Sequence, residues 1–283
     1  MDIKQNKVAQ WADEHPIAAG FVITLMYIAF RRLTYYIFKV ALPQNNVTMV
    51  LYEITDVIWP LLMVIAFGRI DIYRKGKFFY TLFLGFVLLP ITLYYFFGRI
   101  IPLLSEPGLE WQSPVMIIWG ITTMLFVGFR EESVFRGIVA NNLADRFCRN
   151  RRGVYLTTVI AAGFFGIMHM QNVFLGQSLF KTVDQSISSF MTGLVLVAIY
   201  LRGGNIWAMM LTHAARDLAL MVSNLFTKTY GSDATAYIAS HKETGTDSIS
   251  VLLKTVMYIG DIILVLILLR KSKCDEIIKK YEQ

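Results

Sequence analysis

The sequence predicts an all-α membrane protein, a polytopic bundle of about eight transmembrane helices. Hydrophobic residues make up 55% of the 283-residue chain, charged residues only 17%, and the mean hydropathy is +0.52. Soluble domains carry a larger charged share, so the composition indicates that most of the chain is in lipid. We expect a single membrane domain over residues 1–283, with a motif-bearing core at about 115–226.

Apolar runs close to the roughly 20 residues that a helix needs to cross the hydrocarbon core follow one another along the chain. The first run is interrupted by Arg31 and Arg32, and the fourth, fifth and seventh runs contain charged residues or histidines. The predicted spans are residues 16–30 with a continuation to 42, then 49–68, 78–97, 115–143, 154–170, 183–201, 206–226 and 249–269.

Positive charges are unevenly shared between the two sets of connecting segments. If the N-terminus is cytoplasmic, 16 Lys and Arg fall on the cytoplasmic side and seven on the other side, Arg31 and Arg32 among the seven. Cytoplasmic loops are enriched in Lys and Arg, so we expect both termini in the cytoplasm. The loops also account for the formal net charge of +7, and we expect no nucleic-acid partner. The cytoplasmic charges lie at residues 4–7, 69–77, 146–152, 202 and 270–280.

A charged cluster interrupts the fourth apolar run, where residues 128–137 read GFREESVFRG. Charged side chains at membrane depth cost roughly 2.5–3.5 kcal/mol each, so they persist mainly where they face a bundle interior and serve a function. Glu132 and Arg136 are four residues apart on one helix face and can neutralise each other. Glu131 is rotated by about 100° and stays free for other work. The alternative is a buried ion pair that only locks helices together, but a lock needs one carboxylate and this cluster has two.

Two of the four histidines lie in apolar runs. His169 ends the fifth run, and His213 lies in the seventh with Asp217 four residues later on the same face. A lone histidine on an apolar face is more often a core residue than a functional one. With two glutamates, however, the set suits hydrolysis, in which a glutamate deprotonates a water and a histidine positions it or stabilises the oxyanion. One Glu and two His could also hold Zn²⁺; the His-Glu-x-x-His pattern is absent, and the metal stays open.

Three motifs on the fourth, fifth and seventh runs resemble the motif set of the CPBP (CAAX protease and bacteriocin-processing, or Abi) family of intramembrane endopeptidases. The family includes the Ras-converting CAAX endopeptidase and bacterial members tied to bacteriocin maturation or self-immunity, and it is usually labelled as metalloproteases. The motifs, which cover roughly residues 128–217, are Glu131-Glu132 with Arg136, Phe165-x-x-x-His169, and His213-x-x-x-Asp217.

The resemblance implies a role for each motif residue. Glu131 with His169 would activate the hydrolytic water, Glu132 and Arg136 would support the site or hold the substrate, and His213 with Asp217 would stabilise the oxyanion. The last position is often asparagine in the family. An ionised aspartate cannot donate a hydrogen bond, so either Asp217 is protonated or it orients His213.

We therefore expect an endopeptidase in a bacterial cell membrane that cleaves a short peptide or a lipidated protein entering from the lipid or cytosolic side. The alternative is a proton-coupled transporter, in which the intramembrane Glu and His would relay protons. Transporters often show two related halves, and no internal repeat is visible in this chain. A catalytically idle immunity or scaffold protein would leave the polar cluster without a reason.

Overall fold

The computed structural model describes residues 6–43, 46–105, 109–228 and 248–282, and these residues form a helical bundle without strands, as predicted. The helices are α1 (Lys7–Glu14), α2 (Pro16–Tyr35), α3 (Asn46–Ala66), α4 (Phe78–Gly85), α5 (Leu89–Leu104), α6 (Pro114–Val134), α7 (Asn141–Phe147), α8 (Arg151–Met168), α9 (Leu179–Gly203), α10 (Ile206–Phe226), α11 (Ser248–Leu268) and α12 (Lys271–Tyr281).

Turns of a different pitch join several of these helices into longer spans. A π-helical turn at Phe135–Ala140 joins α6 to α7, a second at Tyr36–Ala41 extends α2, and a 3-10 turn at Phe86–Leu88 joins α4 to α5. Seven helical segments of the described residues are long and apolar enough to cross a membrane, and the chain is an integral multi-pass membrane protein. They are Pro16–Ala41, Val47–Ala66, Phe78–Leu104, Pro114–Phe147, Arg151–Leu175, Leu179–Gly203 and Val251–Leu268.

The helix α10 accounts for the difference between eight predicted and seven observed apolar spans. It is a 21-residue helix with the predicted bounds, and it packs against α5 and α6. It is not among the seven segments apolar enough to cross a membrane, because polar side chains such as His213, Arg216 and Asp217 lower its hydropathy. The helix is therefore held in the bundle by its contacts rather than by its own apolar character.

The basic segments that the sequence assigns to one side of the membrane meet at one end of the bundle, which we call the basic end (residues 69–77, 146–152, 202–205 and α12). Residue 4, also assigned there, lies outside the described part of the chain. The contacts that join these segments are Arg69 with Asp13 at 2.7 Å and with Asp145 at 2.6 Å, Arg151 with Asp275 at 2.8 Å, and Asn205 Nδ2 with Lys75 O at 3.1 Å.

The segment between α3 and α4 folds inward and closes the basic end beneath the charged cluster of α6. The hydroxyls of Tyr73 and Ser133 are 2.9 Å apart, and the Tyr73 ring stacks on Phe129 with centroids 5.8 Å apart. Trp207, in the first turn of α10, donates its indole N–H to Tyr73 O at 3.0 Å. These contacts fix the start of α10 against the C-terminal turns of α6.

Gly128 lets α6 and α10 approach closely. A Cβ atom at this position would lie 2.5 Å from the carbonyl oxygen of Met210, which is shorter than any ordinary contact. Small residues allow such close approach between membrane helices. The glycine lies one helical turn before Glu131 and Glu132, so the approach brings both carboxylates to the side chains of α10.

Candidate active site

Glu132 lies between two helices and contacts a basic side chain on each. Its Oε1 is 3.0 Å from Arg136 Nη1, the pair that the spacing predicts, and it also accepts a hydrogen bond of 2.7 Å from His213 Nδ1. The side chains of Glu132 and Arg136 are completely buried. The contact with His213 crosses from α6 to α10, and helix spacing could not predict it.

Three carboxylates surround the imidazole of His213. Its Nδ1 is held by Glu132, while Nε2 faces two further acids, at 3.4 Å from Asp217 Oδ2 and 3.7 Å from Glu131 Oε2. Asp217 therefore lies on the Nε2 side of the ring. One of the two roles that the sequence left open for Asp217 was to orient His213; in the structure the ring also donates from Nδ1 to Glu132.

His169 is fixed by its own helix. Its Nδ1 is 2.9 Å from the carbonyl oxygen of Phe165, four residues earlier. Since a carbonyl oxygen only accepts, Nδ1 carries the proton, and in the neutral ring Nε2 is left as an acceptor. The Phe165 ring lies between the two histidines, with centroids 5.0 Å from His169 and 5.7 Å from His213. The guanidinium of Arg136 covers this ring at 4.4 Å.

A cavity of about 370 Å³ lies among α6, α8, α9 and α10. Of the six predicted site residues, Glu131, His169, His213 and Asp217 line it, whereas Glu132 and Arg136 are not in its wall. The sequence therefore predicts four of the wall residues and two buried residues behind the wall. The remaining lining includes Met124, Asn172, Gln185, Ser188 and Met221.

The cavity lies in the half of the bundle away from the basic end. Asn172 follows the last turn of α8, and Gln185 is near the first turns of α9. Both of these helix ends are opposite the loops that form the basic end.

A second charged cluster adjoins Glu131, and the sequence analysis missed it. Arg130 Nη1 is 2.7 Å from Asp56 Oδ2 of α3, and both side chains are buried. Arg31 of α2 lies 3.8 Å from the same Asp56 oxygen and 4.0 Å from Glu131 Oε1. The sequence analysis expected Glu131 to be free of partners, and this expectation is wrong. The available signal was the pair of acids, Glu53 and Asp56, within the second apolar run.

The positions of Arg31 and Arg32 also correct the sequence analysis. Both lie inside α2, which continues to Ala41, and not in a connecting segment. Arg31 is in the cavity wall, and Arg32 donates from Nη2 to Gln171 Oε1 at 3.2 Å. Neither residue therefore counts as a loop charge on the side opposite the basic end, and the charge bias is stronger than the sequence alone indicated.

The site residues do not form a metal-binding group. Across the described ranges, no set of three or more His, Cys, Asp or Glu side chains is placed to hold a metal ion. Nδ1 of His213 is hydrogen-bonded to Glu132 and Nδ1 of His169 to a carbonyl, so the Nε2 atoms are the ring nitrogens left for other contacts. The chemistry proposed below uses the side chains alone.

Part of the chain matches a known protein family. Residues 113–219 match the family model of the Rce1-like type II CAAX prenyl endopeptidases. The matched segment is less than half of the chain, and it contains all six predicted site residues. The resemblance to the CPBP family is confirmed over this segment, and it supports an intramembrane endopeptidase of that type. No curated protein and no solved structure matches the chain.

Proposed function

We propose that this chain, whose residues 113–219 are Rce1-like, hydrolyses a peptide bond inside the membrane with a water activated by Glu131. One observation carries the proposal: Glu131, His169, His213 and Asp217, from three helices, line one cavity within a bundle of apolar spans. Polar groups at this depth are costly unless they meet one another or a ligand. Because these four side chains line one cavity, a substrate and a water can bind between them.

Glu131 and His169 hold and deprotonate the water. The Glu131 carboxylate takes one proton, and His169 Nε2, the free acceptor of its ring, accepts a hydrogen bond from the other O–H. The water oxygen then bonds to the substrate carbonyl carbon, and the carbonyl π electrons move to oxygen. When this intermediate collapses, the C–N bond breaks and its electron pair stays on nitrogen. The nitrogen takes the proton from Glu131 and leaves as an amine.

His213 stabilises the oxyanion. Both of its nitrogens face carboxylates, and the doubly protonated ring is the form that gives each nitrogen an acceptor. Nε2–H is the donor on the cavity side, where it faces Glu131 and Asp217. A substrate carbonyl at this point receives the hydrogen bond as its oxygen becomes negative. In this arrangement Asp217 acts as an ionised acceptor and not as the donor.

Glu132 and Arg136 support the site from behind the cavity wall. Glu132 fixes the ring of His213 through Nδ1, and Arg136 balances the charge of Glu132. Arg31, at 4.0 Å from Glu131, is a further support because it keeps a positive charge beside the base. The substrate-holding role that the resemblance left open for Glu132 and Arg136 is not part of this proposal.

The substrate is a short peptide or the end of a membrane-associated or lipidated chain. CAAX-type processing and bacteriocin maturation or self-immunity are the roles that the family suggests. We propose that both termini are cytoplasmic, since the basic end holds α1 and α12. The cavity then lies in the opposite half of the bundle, and the substrate reaches it from the lipid or from the face opposite the termini.

The test uses the whole chain in lipid vesicles with a fluorogenic peptide that carries a lipid anchor. We expect the wild type to release a fragment, located by mass spectrometry, and Glu131→Gln to release it at least about a hundredfold more slowly. Glu110→Gln, at an exposed acid away from the cavity, is the matched control and should cleave like the wild type. A pH-sensitive dye inside the same vesicles tests the transporter alternative. Proton uptake that depends on Glu131, without cleavage, would overturn the proposal.

A further inference from the structure

Arg216 is a cation in the cavity wall that forms no ion pair within 4.0 Å and no hydrogen bond with the described residues. It lines the cavity beside Asp217, on α10. Arg31, the other arginine in the wall, lies within 4.0 Å of two carboxylates. For Arg216, the described residues offer no ion pair within that distance and no hydrogen bond, and its buried Nε has no acceptor. A guanidinium at membrane depth is costly in free energy unless it pairs with an opposite charge.

Neither of the two acids nearest to Arg216 forms a close ion pair with it among the described residues, so its guanidinium is available to a ligand. Asp217 faces His213 at 3.4 Å. Asp261 of α11 is buried and interacts with Arg216 electrostatically, but the two do not form an ion pair within 4.0 Å in the described structure. The guanidinium therefore borders the cavity, and no acceptor among the described residues faces its Nε. It is also three residues after His213, which places both side chains on one face of α10, one turn apart.

We propose that Arg216 binds a carboxylate of the substrate. The inference rests on the endopeptidase function and adds the chemical group that the site recognises. A planar guanidinium binds a carboxylate through two parallel hydrogen bonds, and the pairing is stronger inside the bundle than in bulk water. The carboxylate is either the free C-terminus of the peptide or an acidic side chain near the scissile bond.

Three short fluorescent peptides of one apolar sequence separate these sources. The first ends in a free carboxylate, the second in an amide, and the third in an amide with glutamate as its last residue. We expect the wild type to prefer a carboxylate peptide over the neutral amide by roughly 10- to 100-fold in kcat/KM, through KM, as for charge-assisted hydrogen bonds. Preference for the first peptide identifies the C-terminus, and preference for the third identifies a side chain.

The variants then assign the preference to Arg216. Arg216→Gln should bring kcat/KM of the carboxylate peptide close to that of the amide peptide, so that the ratio between the two peptides approaches one. Arg216→Lys keeps the charge but not the paired geometry, so it should retain part of the preference; it also decides the question if the Gln variant does not fold. Arg152→Gln removes an exposed charge at the basic end, outside the cavity, and should change nothing.

Peptide binding to the Glu131→Gln protein, followed by fluorescence anisotropy, separates this inference from the function beneath it. Binding that depends on the carboxylate and on Arg216 supports the inference even if the wild type cleaves none of the peptides, in which case only the endopeptidase proposal fails. Cleavage or binding with the same preference in the wild type and both Arg216 variants overturns the inference and leaves the endopeptidase standing.

Discussion

His213 Nδ1 donates a hydrogen bond to Glu132 Oε1 across 2.7 Å, and this contact joins α10 to α6 directly behind the cavity. The same Glu132 oxygen is 3.0 Å from Arg136. One buried carboxylate oxygen therefore contacts both the imidazole of His213 and a buried arginine. We therefore expect substitution of Glu132 to affect mainly stability and substitution of the adjacent Glu131 to affect mainly activity.

Glu132→Gln should lower stability more than Glu131→Gln. Its amide oxygen can still accept from His213, but Arg136 is left as an uncompensated buried charge, a loss of about 3–5 kcal/mol. Glu131→Gln should instead lower kcat by about 10²- to 10⁴-fold, the contribution of a general base. Its effect on stability should be smaller, because Arg31 still has Asp56 as a partner. Thermal unfolding in detergent and peptide cleavage measure the two effects. Wild-type stability of Glu132→Gln would contradict the assigned support role.

Asp217→Asn and Asp217→Ala should have similar effects. The His213 ring is anchored by Glu132 in both variants, so each loses the charge that faces Nε2 and neither loses the position of the ring. We expect kcat to fall roughly 10-fold or more, in line with a hydrogen bond to a charged group, with little change in KM. Steady-state kinetics provide the measurement. An Ala variant a hundredfold worse than Asn would mean that Asp217, and not Glu132, positions the ring.

Asp56→Asn should destabilise the bundle strongly. The substitution leaves Arg130 buried without its ion pair, and breaking one side of a buried pair costs about 3–5 kcal/mol. Asp275→Asn is the matched control, because its partner Arg151 lies at a similar 2.8 Å but the side chains are 45% and 43% exposed. Exposed pairs contribute about 0–1 kcal/mol. Equal unfolding temperatures for the two variants would show that the Arg130 pair is not structural.

Gly128→Ala should separate α6 from α10. The new methyl group would meet Met210 O at 2.5 Å, so the helices must move apart. Overpacking of this kind costs about 1–3 kcal/mol, and the displacement moves Glu131 relative to His213, so activity should fall as well. Gly163→Ala on α8 meets nothing within 4 Å and should be neutral or slightly stabilising. Normal activity of Gly128→Ala would show that activity does not require the close approach of α6 and α10.

The relationships that the sequence predicted lie within single helices. Residues four apart share a face, so the pairing of Glu132 with Arg136 and of His213 with Asp217 follows from the spacing, and the contacts measure 3.0 and 3.4 Å. The apolar runs predicted the fold class for a similar reason, since span length is set by membrane thickness. Local periodicity was sufficient in each case.

The relationships that the sequence did not predict cross between helices. The contacts of Glu131 with Arg31 and of Arg130 with Asp56 depend on how α2, α3 and α6 rotate and tilt against one another. Packing sets that rotation, for example at Gly128, and no spacing along the chain records it. Arg31 was misplaced for the same reason: a charge late in an apolar run looks like a loop residue until its partners on other helices are known.

The polar character of α10 has a consequence for biosynthesis. Charged residues at a helix centre oppose insertion by about 2.5–3.5 kcal/mol each, so Arg216 and Asp217 disfavour entry of α10 on its own. The turn that separates it from the apolar α9 is very short, which favours insertion of the two helices together as a hairpin. The partner of His213 on α6 is synthesised earlier and is already in the bilayer. A nascent chain that stops before residue 206 would therefore keep Arg136 beside Glu132 and Arg31 beside Glu131, but it would lack the imidazole that contacts both acids, and membrane quality control would meet an incomplete polar cluster.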